Sequence, residues 1–128
     1  MIRYLKILHG SMIVADTETA LAFYRDVLGM TVDASRPDLG FPGAWLNIGD
    51  QQIHLLELDN PDPVDGRPEH GGRDRHVAIE VYDLNELQKA LERAGHTFTL
   101  SRSGRRALFC RDPDGNALEF VETKQDQP

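Results

Sequence analysis

The sequence predicts an α+β fold built from two copies of one βαβββ module. A run that begins with His and ends with Asp occurs at residues 9–16 and again, with the same spacing, at residues 76–83. A helical pattern that ends at a Gly follows each run. A strand of similar form then closes each copy, at residues 54–57 and 119–122. Self-similarity of this kind indicates a repeated structural unit.

The first module starts with an alternating strand followed by a helix. Alternation places Met12 and Val14 on one face and His9 on the other. Asp16 is a good N-cap, and apolar residues spaced by three and four form one stripe that ends before Gly29. The predicted strands of this module cover residues 9–15, 30–34, 44–48 and 52–58.

A polar segment at residues 59–75 separates this module, residues 1–58, from the second, residues 76–128. It holds three Pro and three Gly without an apolar period, which predicts a linker. Because it is too long for a simple turn, it could also cover a site. In the second module Asp83 caps a helix that ends before Gly95. The predicted strands cover residues 76–81, 97–100, 107–110 and 116–122.

Composition and charge argue against several function classes. A net charge of −7 disfavours nucleic acid as a partner, since phosphate contacts need a basic face. No apolar run approaches the roughly 20 residues that span a bilayer, and no signal-peptide pattern opens the chain. The single cysteine, Cys110, rules out an internal disulfide and suits a reducing compartment. We therefore expect a cytoplasmic protein with neither a nucleic-acid nor a membrane partner.

Four polar side chains at the matching ends of the two modules are the functional signal. They are His9 and His54 in the first module and His76 and Glu119 in the second. An unpaired imidazole or carboxylate on the inner face of an apolar strand costs several kcal/mol. One divalent metal would satisfy all four at once. Taken singly, each could be a structural or surface residue, but their repeated placement favours a shared metal site.

Other polar residues carry a weaker signal. Glu80 lies on the same strand face as His76 and could act as a base, although a solvated position is the simpler interpretation. His70 and His96 have no counterparts in the other module, so we expect structural roles for them. Three arginines of one turn could meet an anionic substrate or be solvated: Arg102, Arg105 and Arg106.

These residues resemble the vicinal oxygen chelate superfamily, which includes glyoxalase I, methylmalonyl-CoA epimerase, extradiol dioxygenases and the fosfomycin and bleomycin resistance proteins. The resemblance rests on His9 with Asp16, Phe-Tyr-Arg-Asp-Val-Leu-Gly at 23–29, His54, His76 and Asp-Pro-Asp-Gly-Asn-Ala-Leu-Glu at 112–119. It implies that the modules pair into a cup-shaped, eight-stranded mixed sheet around a divalent Zn, Ni, Co, Mn or Fe ion. The implied ligand positions are those of His9, His54, His76 and Glu119. It also implies that two modules are joined edge to edge, either within one chain or between two chains. We expect a homodimer.

The resemblance implies a metal-dependent, glyoxalase-like lyase or isomerase that acts on a small oxygen-chelating substrate. Glu119 is the preferred residue for proton transfer and His54 the second. One alternative is an Fe(II)-dependent dioxygenase of the extradiol type, whose His, His, Glu set would be matched by His9, His76 and Glu119, leaving His54 as an acid or base. The other is a non-catalytic resistance protein that binds a small molecule.

Three positions depart from bacterial glyoxalase I. Ile13 and Leu58 stand where that enzyme has Arg and Asn, and His54 stands where it has Glu. Apolar side chains cannot hold a glutathione carboxylate. We therefore predict that this chain lacks strong glutathione-dependent glyoxalase I activity.

Overall fold

The computed structural model describes residues 1–101 and 103–123, which form two four-stranded mixed sheets with few helices. The first sheet and its helix consist of β1 (His9–Val14), α1 (Thr17–Leu21, continued by a π-helical segment, Ala22–Val27), β2 (Thr31–Val32), β3 (Gly43–Ile48) and β4 (Gln51–Glu57). The second set consists of a 3₁₀ turn (Gly71–Arg73), β5 (His76–Val81), α2 (Leu84–Arg93), β6 (Thr99–Leu100), β7 (Ala107–Arg111) and β8 (Ala117–Glu122). The predicted α+β class and the repeated βαβββ order are confirmed.

The chain divides into two compact units, Met1–Asn60 and Pro61–Pro128, with the same internal topology. The strand orders are β1-β4-β3-β2 and β5-β8-β7-β6, and in each sheet the first and last strands of the unit pair in parallel. This pairing sets Ser11 opposite His54 and Ala78 opposite Glu119. The first and last strands of each unit therefore bring their predicted site residues to one region of the sheet.

Both helices begin and end as the sequence predicts. The side chains of Asp16 and Asp83 accept hydrogen bonds from backbone amides of the first helical turn. Gly29 and Gly95 follow the helices with φ of 74° and 76°, a conformation that glycine adopts without steric cost. No helix within the described residues is long and apolar enough to cross a membrane.

A second cap on each helix comes from the end of the last strand. Glu57 accepts a hydrogen bond of 2.7 Å from the backbone amide of Thr17. Glu122 accepts the equivalent bond of 3.0 Å from Leu84. A carboxylate at a helix N-terminus also interacts favourably with the helix dipole. The repeated glutamates at the strand ends therefore join helix to sheet.

Two local features differ from the sequence-based expectation. The helix after Asp16 widens into π-helical turns, and the successive side chains of Phe23 and Tyr24 are both buried, with rings edge-to-face at 5.3 Å. Strand β2 is shorter than predicted because the side chain of Asp33 accepts a hydrogen bond from the backbone amide of Ser35, which turns the chain.

Candidate functional site

In the first unit, the two predicted histidines lie side by side on neighbouring strands. The rings of His9 and His54 stack with centroids 3.9 Å apart and planes inclined by 13°. Trp45, on β3, stacks on His54 at 4.5 Å with planes inclined by 10°. Because β4 lies between β1 and β3, His54 has a ring neighbour from each side. These contacts fix the plane of the His54 imidazole.

The surroundings of His54 favour its neutral form. Its Nε2 lies 2.8 Å from Oε1 of Gln52, and an amide oxygen only accepts, so Nε2 carries the hydrogen and Nδ1 keeps a lone pair. Burial lowers the pKa of His54; electrostatic interactions with His9 and Arg36 lower it further, while Asp33 opposes the shift. A neutral imidazole with a lone pair can ligate a metal or accept a proton.

In the second unit, His76 faces the carboxylate of Glu119. Nδ1 of His76 lies 2.8 Å from the carbonyl oxygen of Asp74, which can only accept, so the hydrogen sits on Nδ1. Nε2, the other ring nitrogen of His76, lies 3.2 Å from Oε1 of Glu119. Two acceptors at this distance need a cation, either a proton or a metal ion. An imidazole that donates one N–H to a backbone carbonyl and turns its other nitrogen toward a carboxylate has the orientation of a metal ligand.

Glu119 is only 4% exposed, so its charge needs compensation. Its Oε2 accepts a hydrogen bond of 2.9 Å from the guanidinium of Arg105. The ring of Phe109 contacts His76 edge-on at 5.4 Å. An arginine and an aromatic ring therefore orient the two groups of this pair.

The two units place equivalent residues at equivalent positions. Trp45 pairs across the strands with His54, and Phe109 pairs with Glu119. The sequence analysis did not identify these two aromatic residues as part of the site. The signal that could have found them is their place on the middle strand, directly opposite the last polar residue of each module.

The structure brings together His9 with His54 and His76 with Glu119, each pair inside its own unit. Within residues 1–101 and 103–123, no group of three or more His, Cys, Asp or Glu side chains is arranged to hold one metal ion. The donors of both pairs, imidazole nitrogen and carboxylate oxygen, suit divalent zinc, iron, nickel, cobalt or manganese. By donor chemistry, each pair taken by itself supplies two ligand atoms of the kind that these ions prefer.

The second unit contains a pocket of about 1150 Å³ beside the His76–Glu119 pair. Residues of the segment predicted to be a linker form one wall, and β6, β7 and the turn between them form another. The lining residues used below are His70, Arg73, Thr99, Ser101, Ser103 and Arg105. Part of the segment 59–75 thus lines a pocket, and that it covers a functional site stays a prediction.

The remaining polar candidates lie outside the two pairs. Glu80 is exposed on β5. Arg106 contacts Glu122 at 3.1 Å and Asn85 at 3.0 Å, so it supports the capped end of α2. Arg102 lies outside the described residues.

A partly buried ion-pair network supports the segment that precedes His76. The carboxylate of Asp74 accepts hydrogen bonds from Arg111 at 2.8 Å and from Arg67 at 3.1 Å. Arg111 also donates to the carbonyl oxygens of Pro68 and Gly115. The hydrogen bond from Arg111 is the main cause that lowers the pKa of Asp74, and burial opposes it. The network fixes the backbone whose carbonyl orients His76.

We expect Asp74→Asn to destabilise the protein by about 1.5–3 kcal/mol at pH 7, because it weakens hydrogen bonds to two charged guanidiniums. Because folding lowers the pKa of Asp74, its contribution is present above the unfolded pKa of about 4 and is lost as the pH falls through the folded value. Urea unfolding at pH 7 and pH 3 measures this. The difference between wild type and Asp74→Asn should shrink at pH 3.

Asp62→Asn is the matched control, since Asp62 pairs with Arg75 at 3.0 Å with both side chains well exposed. Exposed pairs contribute about 0–1 kcal/mol. Equal losses in the two variants would contradict the assigned role of the Asp74 network.

Comparison with known proteins agrees with this architecture. The family model of the Glyoxalase/Bleomycin resistance protein/Dioxygenase superfamily matches residues 6–120. The chain is 32% identical over 128 residues to a lactoylglutathione lyase of Haemophilus influenzae, covering 94% of each chain. It is 33% identical over 127 residues to the mitochondrial methylmalonyl-CoA epimerase of Mus musculus, covering 91% of this chain and 71% of that protein.

A solved structure extends the likeness to three dimensions. A glyoxalase family protein from Bacillus anthracis superposes with a TM-score of 0.80 at 27% identity, covering 97% of this chain and 100% of that one. The family match spans most of both units and includes all four predicted site residues. The chain therefore belongs to the Glyoxalase/Bleomycin resistance protein/Dioxygenase superfamily.

Proposed function

We propose that this chain is a metal-dependent enzyme of the lyase or isomerase type that acts on a small substrate chelating through two oxygens. The observation that carries the proposal is the His76–Glu119 pair, in which Nδ1 of His76 is held by a backbone carbonyl and Nε2 lies 3.2 Å from Oε1 of a buried carboxylate. The proposed ligands are His9, His76 and Glu119, with His54 as fourth ligand or near neighbour. Zn, Ni, Co, Mn and Fe are the candidate ions.

The proposed reaction class rests on the roles that Glu119 and His54 can take beside a bound ion. When bound, a divalent ion supplies Lewis acidity that stabilises negative charge on substrate oxygens. Glu119 is the preferred proton carrier, because Arg105 holds its Oε2 and leaves Oε1 directed into the pocket region beside His76. His54 is the second candidate, since it is held neutral with a lone pair on Nδ1. Names of relatives support this class: a lyase and an epimerase both match the chain.

A dioxygenase of the extradiol type is the second candidate. Two histidines and one carboxylate are the donor set of many non-haem Fe(II) oxygenases. His9, His76 and Glu119 match this donor set, and His54, whose ring is held by Gln52 and by two stacked rings, is then left over. In this alternative His54 acts as an acid or base beside the ion.

Metal analysis followed by a substrate panel separates the candidates. The protein is purified without chelator and assayed with small α-oxo aldehydes, thioesters and catechols, under air and under nitrogen. Turnover that persists under nitrogen supports the lyase or isomerase, and turnover that needs oxygen supports the dioxygenase. Saturable binding without stoichiometric metal or turnover would overturn both in favour of a sequestering protein.

We also propose that the protein is a homodimer. β1 and β5 are edge strands of their sheets, and edge strands need to be paired or covered. The residues before β1 expose apolar side chains: Ile2 by 74%, Tyr4 by 87%, Leu5 by 82% and Ile7 by 76%. Two-fold pairing is the commonest arrangement of oligomers.

We expect twice the chain mass by light scattering at micromolar concentration; a monomer mass would refute the dimer. Mixed dimers of His9→Ala and Glu119→Gln chains then locate the metal site. If one site draws on two chains, one site per mixed dimer is intact and metal binding returns. If each site lies within one chain, both remain defective.

A further inference from the structure

We propose that the pocket of the second unit binds an anionic group of the substrate, a carboxylate or a phosphoryl group. Its donor-bearing lining residues are His70, Arg73, Thr99, Ser101, Ser103 and Arg105. This concentration of cations and hydroxyls occurs in a chain whose net charge is −7, so it is a local feature and not a consequence of overall composition. The inference rests on the proposed function only in taking the occupant to be the substrate.

His70 contributes a ring N–H that donates to none of the described residues. Its Nδ1 accepts a hydrogen bond of 3.0 Å from the backbone amide of Gly72, which places the ring hydrogen on Nε2. Nε2 is shielded from solvent and has no hydrogen-bond partner among the described residues. A buried polar group without a partner is unfavourable, so an oxyanion that reaches this N–H with a small movement of the ring would satisfy it. The ring itself is supported by Phe109, at 4.8 Å.

Arg105 contributes charge and spare donors. One of its nitrogens contacts Glu119 at 2.9 Å, whereas a guanidinium carries five N–H donors. Its side chain is 60% exposed, so the remaining donors face space that a ligand can enter. Arginine is well suited to planar, two-point binding of carboxylate and phosphoryl oxygens.

The turn before Arg105 adds hydroxyl groups. The hydroxyls of Ser101 and Ser103 lie 2.8 Å apart, and the backbone amide of Ser103 donates to Ser101 at 3.2 Å. Gly104, with φ of 86°, permits the tight return of the chain toward Arg105. The turn thus directs hydroxyl groups and a guanidinium to one side of the pocket.

Two carboxylates also line the pocket, and they set the balance of charge. Glu119 is compensated by its contact with Arg105. Glu69 is exposed and therefore screened by solvent. Arg73, also exposed, adds a second guanidinium to the same lining. An anion that enters the pocket meets the guanidiniums of Arg73 and Arg105. The guanidinium of Arg105 also neutralises the carboxylate of Glu119.

The test is calorimetric titration of the full-length protein, as purified and after chelator treatment, with inorganic phosphate, methylphosphonate and malonate, and with 1,2-propanediol as the uncharged probe. We expect saturable binding of an oxyanion that persists without metal, and no binding of the diol. Binding of phosphate and methylphosphonate alone assigns a phosphoryl group, and binding of malonate alone assigns a carboxylate. Absence of saturable oxyanion binding would overturn the proposal, even if metal binding and turnover are intact.

Two variants locate the bound anion. His70→Asn keeps an acceptor for the Gly72 amide but removes the ring N–H, and Arg73→Gln removes one lining charge. Each should weaken oxyanion binding about tenfold or more, as expected for a lost charge-assisted contact. Arg75→Gln is the matched control, because Arg75 pairs with Asp62 and does not line the pocket. Equal weakening by Arg73→Gln and Arg75→Gln would show general charge attraction and overturn the site.

Discussion

Replacement of His76 by Ala or of Glu119 by Gln is expected to abolish stoichiometric binding of a divalent metal. In each case one donor of the His76–Glu119 pair is lost, and the remaining donor keeps only its supporting contact with Asp74 or Arg105. Loss of an outer-shell partner alone typically costs about 10–100-fold in metal affinity. Loss of a ligand should therefore weaken binding by at least about 100-fold.

Elemental analysis of protein purified without chelator measures this effect. Glu119→Gln keeps the size of the side chain, so its loss of metal would report on the carboxylate rather than on packing. His96→Ala is a suitable control because it removes an imidazole of the same unit that belongs to neither pair. Equal metal content in wild type, His76→Ala and Glu119→Gln would contradict the proposed ligand set.

The sequence points to the four candidate site residues because each module places polar side chains at the same strand positions. Alternation alone assigns His76 to a strand face, and the parallel pairing of β5 with β8 then brings Glu119 beside it. The partners that orient these groups are harder to predict. The carbonyl of Asp74 is a backbone group with no sequence signal, and Arg105 reaches Glu119 from a turn for which solvated side chains are the simplest interpretation of the sequence.

Residues of the same type in the two modules can also have different roles. Glu57 and Glu122 end β4 and β8, the strands that carry His54 and Glu119, yet their side chains cap helices. His70 has no counterpart in the first module, which favours a structural role, although its ring lines the pocket with a buried N–H that has no partner among residues 1–101 and 103–123. Periodicity identifies the face of a strand, whereas the role of a side chain depends on which backbone groups from other segments reach it.

Glutathione-dependent glyoxalase I activity is expected to be weak in this chain even when metal is bound. A hemithioacetal of glutathione carries two carboxylates that need cationic or amide partners. Ile13, half-buried on β1, and Leu58, 43% exposed after β4, cannot provide such partners. A lost charge-assisted hydrogen bond costs about 1.5–3 kcal/mol, roughly ten- to a hundredfold in affinity for each contact.

The imidazole of His54 strengthens this expectation. If it replaces a carboxylate ligand, the site is about one charge unit more positive, which changes how strongly the site acidifies a bound water. Its hydrogen bond from Nε2 to Gln52 and its lowered pKa favour the neutral ring. A neutral imidazole does not supply the negative charge of a carboxylate ligand. The pocket of the second unit, lined by Arg73 and Arg105, offers partners for one anionic group, whereas the hemithioacetal carries two carboxylates.

The assay uses methylglyoxal with glutathione and protein reconstituted separately with Ni, Co, Zn and Mn. We expect a kcat/KM well below about 10⁴ M⁻¹s⁻¹, the lower end of the usual range for enzymes, with every metal. The double variant Ile13→Arg with Leu58→Asn tests the physical reason, because it supplies the two missing partners and should raise kcat/KM mainly through KM. A wild-type value at or above about 10⁴ M⁻¹s⁻¹ with any of the four metals would instead show that the carboxylates of glutathione bind elsewhere in the chain.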